Sequence, residues 1–214
     1  MEFAAASCFP CDYAHARERF RAAASAAGGA LRAYDNPNHG PAGEALATDC
    51  AWLGPDDAEK VLVILSGTHG VEGLCGSGIQ LDWLQEGHAG RLPAGHAALL
   101  IHAVNPHGFA WLRRVTEENV DLNRNFVDFA RRLPENSAYD ELADALVPPS
   151  LAEAAFVAAD AKIAAFCAAH GENAFHAARS QGQYKHPDGI FYGGAGPTWA
   201  RRTEERIIAD YRLA

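Results

Sequence analysis

Two continuous aliphatic runs, separated by a stretch with helical periodicity, are the clearest pattern along the chain. Residues 60–66 and 97–104 have the length and the aliphatic content of strands buried on both faces. Between them, apolar positions recur at helical spacing from about Gly73 to Gln85, and Gly87 follows as a terminator. A strand, a helix and a second strand in this order predict a parallel crossover unit and an α/β fold.

The rest of the chain predicts helices and loops around this unit. A first helix is expected from residue 13 to about residue 31, a loop over 35–44 and a short strand within 47–55. The mixed segment 105–132 predicts long functional loops with at most one short strand. Ser150 and Glu153 match a capping box before a helix that reaches His170, and a last helix is expected over 197–214.

Composition narrows the class of protein. With 214 residues, 49% of them hydrophobic and 21% charged, the chain has the apolar content of a folded domain. The balance of 18 basic against 27 acidic residues gives a net charge of -9, which argues against a broad nucleic-acid or anionic membrane surface. No apolar run approaches the roughly 18 residues of a membrane span. The odd number of scattered cysteines, five, favours a reducing compartment, so a cytoplasmic location is expected.

The loop after the first aliphatic run carries the first candidate site. It contains His69 and Glu72, three residues apart and flanked by glycines, directly after a predicted strand, where ligand sites of α/β sheets form. An imidazole and a carboxylate that converge on one side of a turn suit zinc. The alternative is structural: a histidine in a turn, and a glutamate that complements the dipole of the following helix.

The segment after the second run carries a local group of arginines in an otherwise acidic chain. It contains Arg113, Arg114 and Arg124, and a guanidinium can bind a carboxylate through two parallel hydrogen bonds. The alternative is that Arg113 and Arg114 form surface ion pairs with Glu117, Glu118 or Asp121.

Three motifs in order, SGTHGVEG, NVDLNRNF and GQYKHPDGIFYGG, resemble the zinc carboxypeptidase superfamily, including its succinylglutamate desuccinylase and aspartoacylase branch. More closely, they are similar to a mostly uncharacterised bacterial family of that superfamily, over nearly the whole chain. The resemblance implies one three-layer α/β/α domain over residues 1–214, with a mixed, largely parallel sheet.

The resemblance also implies roles for individual residues. His69 and Glu72 match two of three zinc ligands. Asn123 and Arg124 match the pair that binds the terminal carboxylate of the substrate. Arg114 matches the arginine that polarises the scissile carbonyl and stabilises the oxyanion, and Arg113, a further substrate-binding candidate, is the second choice for that role.

The chain departs from the superfamily pattern in one respect. The third ligand, a histidine after a later strand, and the general-base glutamate are not found, and His170, His176 and His186 are weak substitutes. The expectation is therefore a chain that lacks the C-terminal part of the family, with an exposed hydrophobic sheet edge that favours homo-oligomers.

The expected activity is zinc-dependent hydrolysis of an amide beside a free carboxylate. A metallocarboxypeptidase acting on a small peptide and a deacylase acting on an N-acyl amino acid both fit this description. The alternative from another class is a non-catalytic homologue that binds a carboxylate ligand or a partner.

Overall fold

The computed structural model describes residues 7–213, which form α-helices packed with a sheet. The strands of the sheet are β1 (Ala30–His39), β2 (Ala45–Leu53), β3 (Lys60–Leu65) and β4 (His96–His102). The helices are α1 (Tyr13–Ala26), α2 (Gly73–Gln85), α3 (Pro106–Ala110), α4 (Ser137–Leu146), α5 (Glu153–His170), α6 (Glu172–Ser180) and α7 (Trp199–Asp210).

The sheet is mixed, with the strand order β1-β2-β4-β3. β3 and β4 pair in parallel across α2, which confirms the predicted crossover unit. β1 pairs with β2, and β2 with β4, in antiparallel fashion. Since two of these three pairings are antiparallel, the expectation of a largely parallel sheet is wrong, and the reason is the β1–β2 hairpin.

β1 itself was missed: its first residues were assigned to the end of the first helix, which instead ends at Ala26, and residues 35–44 have the composition of a loop. The strand continues through Asn36, Pro37 and Asn38, and its pairing with β2 is irregular between Asp35 and His39. Proline and asparagine are tolerated here because β1 is an edge strand, where one row of backbone groups needs no partner strand.

β3 forms the other edge of the sheet, which corrects the expectation of a strand buried on both faces. The described residues place no strand on its outer side. Leu62 and Leu65 are about half exposed, at 47% and 49%. The equivalent run in β4 is the buried one, with Ala97, Ala98 and Leu99 fully inaccessible to solvent.

The described residues up to Glu117 and those from Arg202 onward form one compact unit. On one face of its sheet, Phe20 of α1 and Leu84 of α2 pack with Leu53 and Leu100. On the other face lies the end of α7, where Asp210 accepts a hydrogen bond from the Tyr34 hydroxyl at 2.9 Å. Helices on both faces of the sheet give the three layers that were predicted.

Two neighbouring residues of β2, Asp49 and Cys50, bury ionisable side chains inside this unit. Asp49 of β2 is fully buried, and its carboxylate is bonded by the guanidinium groups of Arg17 and Arg21 from α1. Beside it, Cys50 is also fully buried, and burial raises the pKa of its thiol to about 12. The buried carboxylate is stable there because two arginines neutralise it.

The second compact unit, Glu118–Arg201, is mainly helical. Leu142 of α4, Phe166 of α5, and Phe175 and Ala178 of α6 form its core. α4 and α6 were not predicted, whereas α5 was. Its predicted capping box is wrong, because Ala152 is the N-cap residue and no side chain caps the helix.

No single helix within residues 7–213 is long and apolar enough to cross a membrane. α5 and α6 reach the required length and composition only as a pair, which bends by 118°.

Candidate functional site

The first candidate site lies in the loop that connects β3 to α2. Gln80, which is buried in α2, holds the base of this loop through its side-chain amide. It accepts a hydrogen bond from the Ser66 hydroxyl at 2.9 Å and donates to the carbonyl oxygens of Ile64 at 2.9 Å and Ile101 at 3.1 Å. One amide thus joins the carboxyl ends of β3 and β4 at the point where both strands lead into loops.

The loop packs tightly against α3. A Cβ atom on Gly70 would lie 1.9 Å from the carbonyl carbon of Gly108, so only glycine fits at position 70. The Gly70 amide donates to the Arg114 carbonyl oxygen at 3.4 Å, which links the loop to the segment that follows α3. Gly67 has a φ of +70°, a conformation that side chains disfavour. The backbone that presents His69 and Glu72 is therefore closely constrained.

Three of the predicted site residues converge in this unit. The Nδ1 atom of His69 lies 3.3 Å from Oε1 of Glu72, and Nη1 of Arg114 lies 3.5 Å from the same oxygen. The His69 side chain is 9% exposed and the Glu72 side chain 63% exposed. The imidazole of His69 and the guanidinium of Arg114 thus both approach one oxygen of the solvent-exposed Glu72 carboxylate.

Besides the acidic residues considered for it from the sequence, Arg114 has Glu72 as a carboxylate partner. Glu117 instead accepts hydrogen bonds from the side-chain amides of Asn36 and Asn38, both at 3.2 Å. Arg113 is exposed, and its backbone amide donates to the Gly108 carbonyl oxygen at 2.8 Å.

A buried histidine lies beneath this site in the same unit. His102, at the end of β4, is completely buried, with Nε2 at 2.9 Å from the Ser77 hydroxyl of α2 and its ring stacked on Phe20. Burial lowers the pKa of His102 to about 4, although the carboxylate of Asp49 acts in the opposite direction. The imidazole is therefore neutral at pH 7. Sequence reasoning missed Gln80, and it missed His102, whose signal was a polar side chain inside the aliphatic run 97–104.

Asn123 and Arg124 belong to the second unit and lie on the one-turn 3₁₀ helix Leu122–Arg124. Asn123 is exposed. The Arg124 guanidinium donates through Nη2 to the Ser180 carbonyl oxygen at 2.8 Å and through Nη1 to its neighbour's carbonyl oxygen at 3.4 Å. The Tyr184 hydroxyl donates to the Arg124 carbonyl oxygen at 2.7 Å. Both the side chain and the backbone of Arg124 are thus held in place.

Two buried side chains support this short helix. Asp121 accepts a hydrogen bond from the Asn123 amide at 3.1 Å and so caps the helix. The side chain of Asn125 donates to the carbonyl oxygens of Gly193 at 2.8 Å and Gly196 at 2.9 Å, and it accepts from the Thr198 amide at 2.9 Å.

The three substitute histidines also lie in the second unit. Nε2 of His186 is 3.0 Å from a carboxylate oxygen of Asp140, His170 packs against Phe166, and His176 is exposed. Among residues 7–213, no group of three or more histidine, cysteine, aspartate or glutamate side chains has an arrangement that could hold a metal ion.

His69 and Glu72 nevertheless suit zinc as a pair. Two atoms bound to one tetrahedral zinc ion at roughly 2.0–2.1 Å stand roughly 3.3 Å apart, and the measured separation of Nδ1 and Oε1 is 3.3 Å. The described residues therefore contain two donors with suitable spacing and chemistry, and a third protein donor is not among them.

One family model matches residues 9–214, under the description "Protein of unknown function (DUF2817)". The chain belongs to the DUF2817 family. No curated protein matches this DUF2817 chain. The solved structures that match include a glutaminyl cyclase from Porphyromonas gingivalis, an enzyme, at 12% identity and a TM-score of 0.31, over 99% of this chain and 93% of that chain. At that score the likeness carries no argument about this protein.

Proposed function

We propose that this DUF2817 protein is a zinc-dependent amide hydrolase whose substrate carries a free carboxylate, with metallocarboxypeptidase-like action. The observation that carries the proposal is the convergence of His69, Glu72 and Arg114 around one carboxylate oxygen. The resemblance of the loop motifs to the zinc carboxypeptidase superfamily supports the same assignment.

In this proposal, Nδ1 of His69 and the carboxylate of Glu72 bind the metal. When bound, zinc would polarise the scissile carbonyl and lower the pKa of a water molecule. Arg114 donates hydrogen bonds to the carbonyl oxygen as negative charge develops there, which lowers the barrier because the charge is positioned in advance. The strong exposure of Glu72 leaves its carboxylate free to exchange the Arg114 guanidinium for a metal.

Asn123 and Arg124 are the proposed carboxylate-binding residues, as the resemblance implies. Asn123 is exposed and offers a side-chain amide. Arg113 is exposed and is the additional candidate for contacting the substrate.

The second candidate function is a non-catalytic protein that binds a carboxylate ligand through these arginines. One observation favours it: residues 7–213 contain no set of three side chains arranged to hold a metal. Under this alternative, Glu72 is simply the ion-pair partner of Arg114, and the spacing of His69 and Glu72 has no metal-binding meaning.

Zinc content distinguishes the two candidates. Titrated with zinc, the purified protein is expected to bind about one zinc ion per chain, and His69→Ala is expected to reduce its zinc affinity by at least roughly 100-fold. His96→Ala, at the start of β4 and so at the opposite end of that strand from the site, is the matched control and should bind zinc like the wild type. A folded wild-type protein that binds no zinc would refute the metal site and favour the non-catalytic alternative.

A substrate series then separates the two hydrolytic activities. A carboxypeptidase should cleave N-blocked dipeptides and longer peptides, whereas an aspartoacylase-like deacylase should accept N-acyl amino acids and reject peptides with a free amine. Either activity should be abolished by a chelator and by His69→Ala. Turnover that survives both treatments would contradict a zinc-dependent reaction.

A further inference from the structure

The turn that follows α3 holds a leucine in a backbone conformation that normally requires glycine. Leu112, two residues after the end of α3, has a φ of +52°. Its amide donates to the Phe109 carbonyl oxygen at 3.2 Å, and the Arg113 amide donates to the Gly108 carbonyl oxygen at 2.8 Å. These bonds form a Schellman motif, whose left-handed residue is usually glycine because glycine has no Cβ atom. Leucine at this position therefore strains the backbone and lowers stability.

Burial offsets little of this strain within residues 7–213. The Leu112 residue is 59% exposed, and the neighbouring Trp111 is 46% exposed. Glycine in place of Leu112 would relieve the strain and lose little packing. A strained residue of this kind, close to candidate functional groups, indicates a role in function.

Leu112 lies beside the group formed by His69, Glu72 and Arg114. The Cα atoms of Leu112 and Arg114 are at most roughly 7 Å apart, because the two residues are two positions apart in the chain. The Arg114 guanidinium contacts Glu72, and Val71, which precedes Glu72, is 45% exposed. Apolar surface therefore borders the charged groups of the proposed site.

Trp111 is held in a fixed orientation next to Leu112. Its indole Nε1 atom donates to the His39 carbonyl oxygen at 3.1 Å. Its ring stacks on the ring of His107, with centroids 5.9 Å apart and an interplanar angle of 25°. An aromatic ring held in this way gives a preformed apolar surface.

We propose that Leu112, together with Trp111, binds an apolar side chain of the substrate, next to the scissile amide. The inference rests on the proposed function, since Arg114 is the residue that would hold the carbonyl of that amide. Contact with Leu112 removes apolar surface of both partners from water, which favours leucine or a similar side chain over alanine. The contact accounts for a leucine at a position where glycine would be more stable.

Leu112→Gly and Leu112→Asn test the strain. Glycine and asparagine adopt the left-handed conformation more easily than leucine, so the midpoint of urea unfolding should equal that of the wild type or rise. Leu151→Asn, at a leucine that is 91% exposed, is the matched control and should leave the midpoint unchanged. A lower midpoint in both Leu112 variants would show that the leucine packs as part of the structure, and it would overturn the proposal.

Pairs of substrates test the contact. The pairs are N-blocked dipeptides that differ only in having leucine or alanine on one side of the scissile amide, and both sides are compared by kcat/KM. The wild type should prefer leucine by at least roughly 10-fold on one side. Both Leu112 variants should reduce this preference by at least roughly fivefold, whereas Leu151→Asn should retain it. Equal losses on both substrates, or an undiminished preference, would refute the contact and leave the hydrolase proposal intact.

Binding measurements separate this inference from the proposed function. Calorimetry with the same dipeptides gives their affinities even if the protein hydrolyses none of them. Tighter binding of the leucine dipeptide that is lost in both Leu112 variants would support the contact, although the hydrolase proposal would have failed. Equal binding of the leucine and alanine dipeptides, or binding of neither, would refute the contact.

Discussion

The two loops that carry the predicted site residues are held in opposite ways. In the loop after β3, the backbone is tightly packed through Gly70, whereas the functional side chain of Glu72 is 63% exposed. In the second unit, the Arg124 side chain itself is fixed by the Ser180 carbonyl oxygen. The first arrangement suits a group that exchanges partners during binding. The second suits a group that must keep one orientation.

The supports beneath the two loops differ as well. In the first unit, a buried histidine, His102, contacts α2 below the site. In the second unit, the amide of Asn125 supports the short helix that carries Arg124. An amide does not titrate, whereas an imidazole does, so the first unit should respond to acid through this support and the second should not respond through its own.

Gly70→Ala should have the largest effect, because it tests the tight backbone of the first loop. The added methyl group meets the backbone of Gly108, which cannot rotate away, and we expect a loss of about 4 kcal/mol in the free energy of unfolding. Gly90→Ala, where a methyl group has no neighbour within 4 Å, is the control and should change it by less than about 1 kcal/mol. Urea denaturation measures both, and equal effects would contradict the packing argument.

Acid should weaken the first unit through His102. Its pKa is about 4 in the folded chain and 6.5 in the unfolded chain. Below pH 6.5 the unfolded chain therefore binds a proton that the folded chain does not, and the free energy of unfolding falls as pH drops from 6.5 to 4. We expect His102→Gln to remove on the order of 2–3 kcal/mol of this pH dependence.

The titration of Glu204 changes the free energy of unfolding with pH in the opposite sense to that of His102, so the two contributions must be measured separately. Burial raises the pKa of its carboxyl to about 7, so its contribution to stability is present at low pH and is lost as pH rises from 4.5 to 7. Urea titrations of the wild type, His102→Gln and Glu204→Gln across pH 4–7 should give pH dependences that differ in opposite senses. If His102→Gln matches the wild type at every pH, the imidazole does not support the loop in its neutral form.

Tyr184→Phe tests how firmly the second unit holds Arg124. The change removes the hydrogen bond to the Arg124 carbonyl oxygen while keeping the ring, and it should cost about 1 kcal/mol. Hydrogen exchange should report faster exchange of the Arg124 and Asn125 amides, whose own bonds close the short helix. Unchanged exchange at these amides would show that the hydroxyl does not fix this segment.

Glu72→Gln should have the smallest effect on stability. In zinc-free protein, the contacts of this exposed carboxylate with His69 and Arg114 should contribute less than about 0.5 kcal/mol. Thermal unfolding after exhaustive chelation measures the difference. A loss above about 1 kcal/mol would mean that the Glu72 carboxylate is a structural element of the loop.

The sequence predicted the parallel crossover and its helix because periodicity and glycine boundaries are local signals. It also led to the grouping of His69, Glu72 and Arg114, since loops at the carboxyl ends of adjacent strands meet at one sheet edge. It could not reveal that β3 is an edge strand, because an aliphatic run looks the same at the centre and at the edge of a sheet. β1 was missed for the converse reason: its residues are polar and turn-forming, and its pairing with β2 is a tertiary property.

The role of Gln80 was equally hidden. A glutamine in an apolar helix has no local signature, and its three hydrogen bonds depend on where β3 and β4 end. Long-range satisfaction of buried polar groups is fixed by the assembled fold, so a single sequence does not display it.

Alkylation of the buried Cys50 thiol can report transient opening of the sheet. Its thiol lies at the centre of the sheet, with a pKa raised to about 12, so an alkylating reagent cannot modify it in the native state. Cys11 and Cys75, in contrast, are exposed and accessible at once. The rate at which a pulse of reagent adds mass at Cys50 therefore measures how often β2 separates from its neighbours, without any introduced probe.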